Sequence, residues 1–364
     1  MTTIDHTATR DAMTEQVAAF IANPAGWPAA MAARALRLRC GHPAYSPNNH
    51  ALIVGQLWAR FTGEGLTADA AFDAAIRAAA DEIAPRFVWA KRGYRPTPGT
   101  ALAVWSRPVP MWVDPTTGKK VTKDTPGALE RRVFRVEQTY RGVDVINDHG
   151  DTGAAAFTAP ALPEGQARDV FQRLAAWITA HGWTVERSGR DMTEGGYTAH
   201  ATGHIVVHGG LAGWAAVETL THEITHALLH GADDERPYAG DHRGDMEAEA
   251  EAVAFGLLTA FDQGDLARGS ARYAAQWTRA PERVAVAYER SCHVLDAVAA
   301  VAFGAHDVTL TPSAKAQRAR TKADNKALAA ALRAAGLHPT GPAWQRAKAG
   351  EPIDVIAATV AGQR

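Results

Sequence analysis

Cysteine is scarce in this chain of 364 residues, which contains only Cys40 and Cys292. Two thiols exclude a framework of several disulfides, and they are too few for a zinc site built from thiolates. We therefore expect a protein of a reducing compartment. A metal site in this chain must then be built from histidine and carboxylate side chains.

Long apolar runs are also missing, since no uninterrupted hydrophobic stretch reaches the length that crosses a membrane. The segment MTTIDHTATRDAMTEQ at the N-terminus lacks the basic-then-apolar layout of a signal peptide. These features predict a cytoplasmic protein with no membrane partner. With 46% hydrophobic and 21% charged residues, the chain can bury a substantial core and is not expected to be disordered.

The length predicts more than one structural unit. The pattern of residues suggests a first domain over 1–146, a Gly-, Ala- and Pro-rich linker over 147–166, a second domain over 167–310 and a basic helical tail over 311–364. We expect an α+β protein, with N-terminal helices and a small antiparallel sheet, then a second domain that ends in helices.

Hydrophobic periodicity places the expected elements. Helices are predicted at 12–22, 28–38, 48–61, 67–83, 167–181 and 326–336. Strands are predicted at 87–89, 101–105, 111–113, 133–136, 183–188 and 204–209.

Charge is distributed unevenly, although the net charge is only -1. Residues 86–141 contain twelve Lys and Arg against four Asp and Glu, a net of about +8, which suits a polyanionic partner. Residues 215–260 contain ten acidic residues against two Arg, which resembles the surroundings of a bound cation.

The segment AAVETLTHEITHALLH, 215–230, has the spacing of a zinc-binding helix. His222 and His226 are four residues apart, so on a helix their imidazoles share a face and can reach one ion. Glu223 follows the first histidine and can take a proton from water, as a general base must. The apolar residues between Val217 and Leu229 predict that the helix is buried on its other side.

A catalytic zinc site needs a third protein ligand and a free position for water. The candidates lie in GDMEAEAEAVAFGLL, 244–258, where Glu247 is the predicted ligand. Glu251, one turn further, could accept the free N–H of a ligating histidine. Glu249 is expected on the opposite flank of that helix, and His242 remains an alternative third ligand.

Other residues near this motif have weaker assignments. His230 is expected to cap the helix or to be structural. Tyr197 and Tyr238 are candidates for stabilising an oxyanion. The strand at 204–209 is predicted to be a sheet edge to which an extended peptide could add.

Residues 86–141 interleave cations with aromatic side chains, the combination that single-stranded nucleic acid requires. Trp89 and Trp105 could either stack on bases or belong to the core. Asn48 and Asn49 are expected to cap the following helix. The candidate contacts to phosphate are Arg92, Arg95, Arg107, Lys119 and Lys120.

Two motifs together resemble known proteins. THEITHALLH (221–230) followed by EAEAEAVAFGLL (247–258) resembles the ImmA/IrrE-type zinc peptidases, and more closely the metallopeptidase half of ArdC-type antirestriction proteins. YSPNNHALIVGQ (45–56), KRGYRPTPGTALAVWSRP (91–108) and FRVEQTY (134–140) resemble motifs of that family's N-terminal half. The likeness spans roughly residues 40 to 260. The family's basic turn is replaced here by residues 95–99.

This resemblance implies a zincin-like metallopeptidase domain with Zn²⁺ as cofactor, joined to a domain that binds single-stranded DNA and shields incoming DNA from restriction. A protein or peptide substrate is then a second partner. Two alternatives stay open: a DNA-binding protein whose metal is only structural, and a regulatory peptidase that cleaves a repressor.

Overall fold

The computed structural model describes residues 6–23, 25–154, 166–189, 192–231, 240–263, 266, 281–305, 308 and 332. The chain divides into two compact units, Met1–Thr309 and Leu310–Arg364. The predicted helix at 326–336 lies outside the described residues except for Leu332, and Tyr238 lies outside them as well.

Helices and short strands make up the described part of the first unit, which confirms the α+β class. The helices are α1 (His6–Ala22), α2 (Gly26–Arg39), α3 (Pro47–Gly63), α4 (Ala68–Ala80), α5 (Arg86–Lys91), α6 (Gln166–Ala180), α7 (Gly213–Leu229), α8 (Gly240–Ala260) and α9 (Pro281–Ala302). The strands are β1 (Ile83–Pro85), β2 (Arg95–Pro96), β3 (Leu102–Trp105), β4 (Val109–Val113), β5 (Lys120–Val121), β6 (Leu129–Val133), β7 (Val136–Arg141), β8 (Val145–Ile146), β9 (Thr184–Ser188), β10 (Gly196–Ala199) and β11 (His204–His208). Among the described helices, none is both long and apolar enough to cross a membrane.

Helix α2 is the centre of the helical core, and it packs against both α8 and α9. Its alanines between Ala29 and Ala35 are fully buried. Small residues let α2 and α8 approach each other closely. A Cβ placed on Gly256 of α8 would lie 3.2 Å from the carbonyl oxygen of Met31 on α2. Arg34 of α2 binds Asp296 of α9 at 2.5 Å. Residues before and after the predicted linker at 147–166 therefore lie in one compact unit. That the segments on its two sides fold as independent domains stays a prediction.

Helix α3 begins close to the predicted residue, but its N-cap is neither Asn48 nor Asn49. Ser46 is the N-cap, and its hydroxyl accepts a hydrogen bond from the Asn49 N–H, with Pro47 as the first helical residue. The Asn49 side chain instead pairs with the main chain of Trp105, at 2.7 and 2.8 Å. Gln56 pairs in the same way with Ala103. These two side-chain amides form hydrogen bonds with the main-chain N–H and C=O groups on the edge of β3 that is not paired with β7, as a neighbouring strand would.

Three small antiparallel sheets follow in the N-terminal half, in the orders β1-β7-β3, β5-β4-β6 and β2-β8. Two predictions here need correction. The run at 87–89 is not a strand but lies in α5, which places Trp89 in a buried cluster with Ala84, Tyr140 and Val145. The run at 133–136 is divided between β6 and β7, which belong to different sheets.

The sheet beside α7 has the order β10-β11-β9, with β10 antiparallel and β9 parallel to β11. The prediction that 204–209 forms a sheet edge is wrong, because β11 is paired on both sides. Its interior position also accounts for the buried run Ile205, Val206 and Val207. The edge of this described sheet that packs against α7 is β10.

Candidate metal centre

Helix α7 carries both histidines of the predicted motif on one face. Val217, Leu220 and Ile224 on the helix are fully buried. The rings of His222 and His226 have their centroids 4.7 Å apart, and their Nε2 atoms are separated by 2.9 Å. The helical spacing therefore directs one ring nitrogen of each histidine to the same point.

Helix α8 contributes a carboxylate to that point. Oε2 of Glu247 lies 3.3 Å from Nε2 of His222 and 3.8 Å from Nε2 of His226. Ligands at 2.0–2.1 Å from a tetrahedral ion are about 3.3 Å apart. The three observed separations bracket that value, and these residues form a cluster that could hold a metal ion. The side chains of His222 and Glu247 are 17% and 15% exposed, so water can reach the cluster.

Glu223 is buried next to the histidines, on the side that faces β10. The hydroxyl of Thr198 lies 2.7 Å from its Oε2 and 3.0 Å from its main-chain oxygen. A Cβ added to Gly196, two residues earlier on the same strand, would lie 3.2 Å from Cγ of Glu223. Strand β10 therefore supports this carboxylate through the Thr198 hydroxyl, and at Gly196 it leaves no room for a side chain beside α7.

The second ring nitrogen of His222 faces Glu251, whose Oε1 lies 3.6 Å from Nδ1. Burial lowers the pKa of His222, but the hydrogen bond to Glu247 and the charges of Glu251 and Glu223 raise it, to about 8. The negative field of this pocket thus favours a positive charge at His222. The same field favours a bound cation.

A second group of side chains extends from His226 away from the cluster. Nδ1 of His226 lies 2.8 Å from Nδ1 of His230, and Nε2 of His230 lies 2.7 Å from Oε2 of Glu249. His230 is also the C-cap residue of α7. Three histidines at intervals of four residues indicate that His226 and His230 lie on the same side of the chain. The sequence alone does not show that His230 contacts Glu249.

Of the remaining candidates near the motif, Tyr197 lies in the described part of the chain and does not join the cluster. Tyr197 is 50% exposed, and it lies between Gly196 and Thr198, which both face Glu223. Because neighbouring side chains on a strand point to opposite faces, Tyr197 faces away from Glu223. The side chain of His242 is outside the described residues.

The predicted DNA-contacting residues are scattered over the basic region, 86–141, in different environments. Arg107, Lys119 and Lys120 are exposed. Arg92 is paired with Glu82 at 2.6 Å, and Arg95 is paired with Asp148 at 2.8 Å.

The aromatic candidates of the basic region need one correction. Trp89 is 1% exposed and donates its indole N–H to the carbonyl of Tyr140, so it belongs to the core and has no face for a base. Trp105 is half-buried. The exposed aromatic rings of this region are instead Phe87 and Phe134, at 58% and 52%.

No protein-family model matches the chain, and no curated protein matches it. Among solved structures, the chain is similar to the crystal structure of the antirestriction ArdC protein from plasmid R388 in its Mn(II)-bound form. The two are 14% identical, the match covers 72% of this chain and 87% of that chain, and the TM-score is 0.41.

Proposed function

We propose that this chain is an antirestriction-type protein that combines a zinc-dependent peptidase site with a surface for single-stranded DNA. The observation that carries the enzymatic part is the convergence of His222, His226 and Glu247 next to the Glu223 carboxylate. The antirestriction context comes from the resemblance of the sequence motifs.

The donor set favours zinc. Two imidazole nitrogens and one carboxylate oxygen match catalytic zinc sites, which keep a fourth position for water or substrate. Manganese prefers sites dominated by oxygen donors. His222, His226 and Glu247 are the residues that would hold the ion, and the partial exposure of His222 and Glu247 admits the substrate.

The chemistry assigned to the site is hydrolysis of a peptide bond. A bound zinc ion would supply a Lewis acid that polarises the carbonyl group and lowers the pKa of a water molecule. Glu223 then accepts the proton of the attacking water and delivers it to the leaving amine. Thr198 holds Oε2 of Glu223, so we assign Oε1 to the proton transfer.

The position of β10 indicates how a peptide could be bound. This strand is an edge of its sheet and carries Thr198, which contacts the proposed general base. An extended peptide that pairs with an edge strand gains main-chain hydrogen bonds whatever its side chains are. We therefore assign the substrate-binding role to β10 and not to β11.

The DNA-binding part is supported by the exposed groups of the basic region. Arg107, Lys119 and Lys120 offer charge to phosphates, and Phe134 offers a flat face to a base. These groups lie on or beside the strands from β3 to β7.

Metal analysis of the purified protein tests the site directly. The parent protein should contain about one zinc ion per chain, and His226→Ala should lose it, because a tetrahedral site that lacks one imidazole binds far more weakly. His181→Ala, in the turn directly after α6, is the matched control and should keep the metal. Equal zinc content in the parent and His226→Ala would contradict the assignment.

Glu223→Gln separates peptidase action from DNA protection. The variant should lose peptide hydrolysis by about 10²- to 10⁴-fold, because the general base is gone, while zinc and DNA binding stay close to the parent values. Glu218→Gln on the same helix is the control. If Glu223→Gln still protects DNA from restriction, protection comes from binding. If the parent protein binds zinc but hydrolyses no peptide, the metal is structural.

A further inference from the structure

Behind the metal cluster lies a buried chain of hydrogen bonds from α7 to α8. It runs from Nδ1 of His226 to Nδ1 of His230 at 2.8 Å, and from Nε2 of His230 to Oε2 of Glu249 at 2.7 Å. The side chains of His230 and Glu249 are 1% and 0% exposed. Buried polar groups of this kind must satisfy each other, so the direction of each hydrogen bond is constrained.

The direction is set at the Glu249 end. An ionised carboxylate only accepts hydrogen bonds, so Nε2 of His230 must be the donor to it. In the neutral imidazole the other nitrogen, Nδ1, is then an acceptor. Nδ1 of His226 is therefore the donor to His230, which leaves Nε2 of His226 with its lone pair. That atom is the one directed at His222 and Glu247.

The charge of Glu249 is offset at its other oxygen. Nε of Arg290, on α9, lies 3.7 Å from Oε1, and the same guanidinium donates to the carbonyl of Leu229 at 2.5 Å. The hydroxyl of Ser291 lies 3.5 Å from the main-chain oxygen of Glu249. A buried carboxylate without a partner destabilises the fold, so the nearby guanidinium of Arg290 stabilises Glu249 in its buried position.

We propose that His230 and Glu249 are positioning residues that orient His226 for coordination through Nε2. This inference rests on the proposed function, because it assumes that a metal ion binds between His222, His226 and Glu247. It adds to that function two residues that touch neither ion nor substrate. Such outer partners of a ligating histidine commonly change metal affinity by about 10- to 100-fold.

Ring-nitrogen spectra of the parent protein test the geometry without any substitution. Protein labelled with ¹⁵N-histidine is loaded with zinc, and long-range ¹H–¹⁵N spectra are recorded. We expect His226 to carry its proton on Nδ1 with Nε2 coordinated, and His230 to carry its proton on Nε2. Coordination of His226 through Nδ1, or a proton on Nδ1 of His230, would overturn the inference.

Zinc affinity, measured by competition with a chromophoric chelator, tests the energetic role. His230→Phe should weaken zinc binding by about 10- to 100-fold. His230→Asn, whose side-chain oxygen can take the place of Nδ1 as acceptor, should recover part of the loss. His181→Phe, in the turn directly after α6, is the control and should bind zinc as the parent does. Denaturant unfolding of the metal-free variants shows whether a loss of affinity merely follows a loss of fold.

The outcomes separate the two hypotheses. If the parent binds zinc and His222→Ala does not, but His230→Phe binds as tightly as the parent, the positioning role is refuted and the proposed function stands. If the parent and His222→Ala are alike in showing no zinc binding, the proposed function fails and this inference fails with it. A loss in His230→Phe with recovery in His230→Asn supports both.

Discussion

The hydroxyl of Thr198 lies 2.7 Å from Oε2 of Glu223, and it links strand β10 to the proposed general base. Thr198 is twenty-five residues before Glu223 in the chain and belongs to no recognisable motif. Its contact gives the sheet a direct influence on the carboxylate, which the histidine motif alone does not reveal.

Replacing Thr198 with valine should reduce peptide hydrolysis by about 10- to 100-fold, mainly in kcat. The substitution keeps the shape of the side chain but removes a hydrogen bond to a charged group, which contributes about 1.5–3 kcal/mol. Casein or a peptide library serves as substrate, with zinc content measured in parallel. Thr198→Ser should restore most of the activity, and Thr202→Val, in the turn after β10, should have no effect. A fully active Thr198→Val would show that the hydroxyl has no role in catalysis.

Removal of the metal should lower the free energy of unfolding of the first unit. A ligand present at a hundred times its Kd stabilises the native state by about 2.7 kcal/mol. Hydrogen exchange should increase first in α7 and α8, which the ion would join. An increase in α2 should follow, since α2 packs against α8. His226→Ala, treated with the same chelator, should show no change; a similar response in that variant would mean that the chelator acts elsewhere.

His50 should make the protein sensitive to acid. Burial, with a further contribution from the charges of Arg34 and Arg37, holds the pKa of His50 well below its usual value of 6.5. Below pH 6.5 the unfolded chain binds a proton at this residue and the folded chain does not. The free energy of unfolding should therefore decrease as the pH falls from about 6.5, by up to about 1.4 kcal/mol per pH unit.

Denaturant titrations of metal-free protein between pH 6.5 and 5 measure this effect. His50→Leu should flatten the dependence. His222 acts in the opposite sense, because its pKa is raised to about 8 in the folded state. Its contribution is fully present below about pH 6.5 and is lost as the pH rises through 8, so it adds no slope in this window. An unchanged slope in His50→Leu would refute the prediction.

Single-stranded DNA binding should depend steeply on salt. For single strands the slope of log K against log salt is about -0.7 for each phosphate neutralised. Replacing Arg107, Lys119 and Lys120 together with alanine should therefore reduce the slope by about 2, as measured by fluorescence anisotropy. Arg77→Ala, at an exposed position on α4, is the control. A slope that is near zero in the parent would favour a protein partner for the basic region.

Phe134→Ala should weaken DNA binding without altering the salt slope. Stacking of a base on an aromatic ring contributes about 1–3 kcal/mol and involves no counterions. Trp89→Phe serves as the comparison, since Trp89 is buried and should affect stability rather than affinity. Equal affinity of Phe134→Ala and the parent would exclude stacking at this position.

The sequence by itself determined which residues share a helical face. His222 and His226 are one turn apart, and Glu247 and Glu251 are one turn apart, so local periodicity predicts each pair. The α+β class and most helices were also predictable, because apolar periodicity extends over many residues. Element boundaries and short strands were less predictable, because few residues define them. The three residues at 87–89 fit a strand pattern but form part of α5.

Only the tertiary structure decided which residues from distant segments meet. Contacts such as Thr198 with Glu223, and His230 with Glu249, depend on how a sheet and two helices pack, and no local pattern contains that information. Packing also determined that Trp89 is core and that β11 lies between two strands. The physical reason is that the backbone periodicity sets directions within one element, whereas distances between elements follow from burial of the whole core.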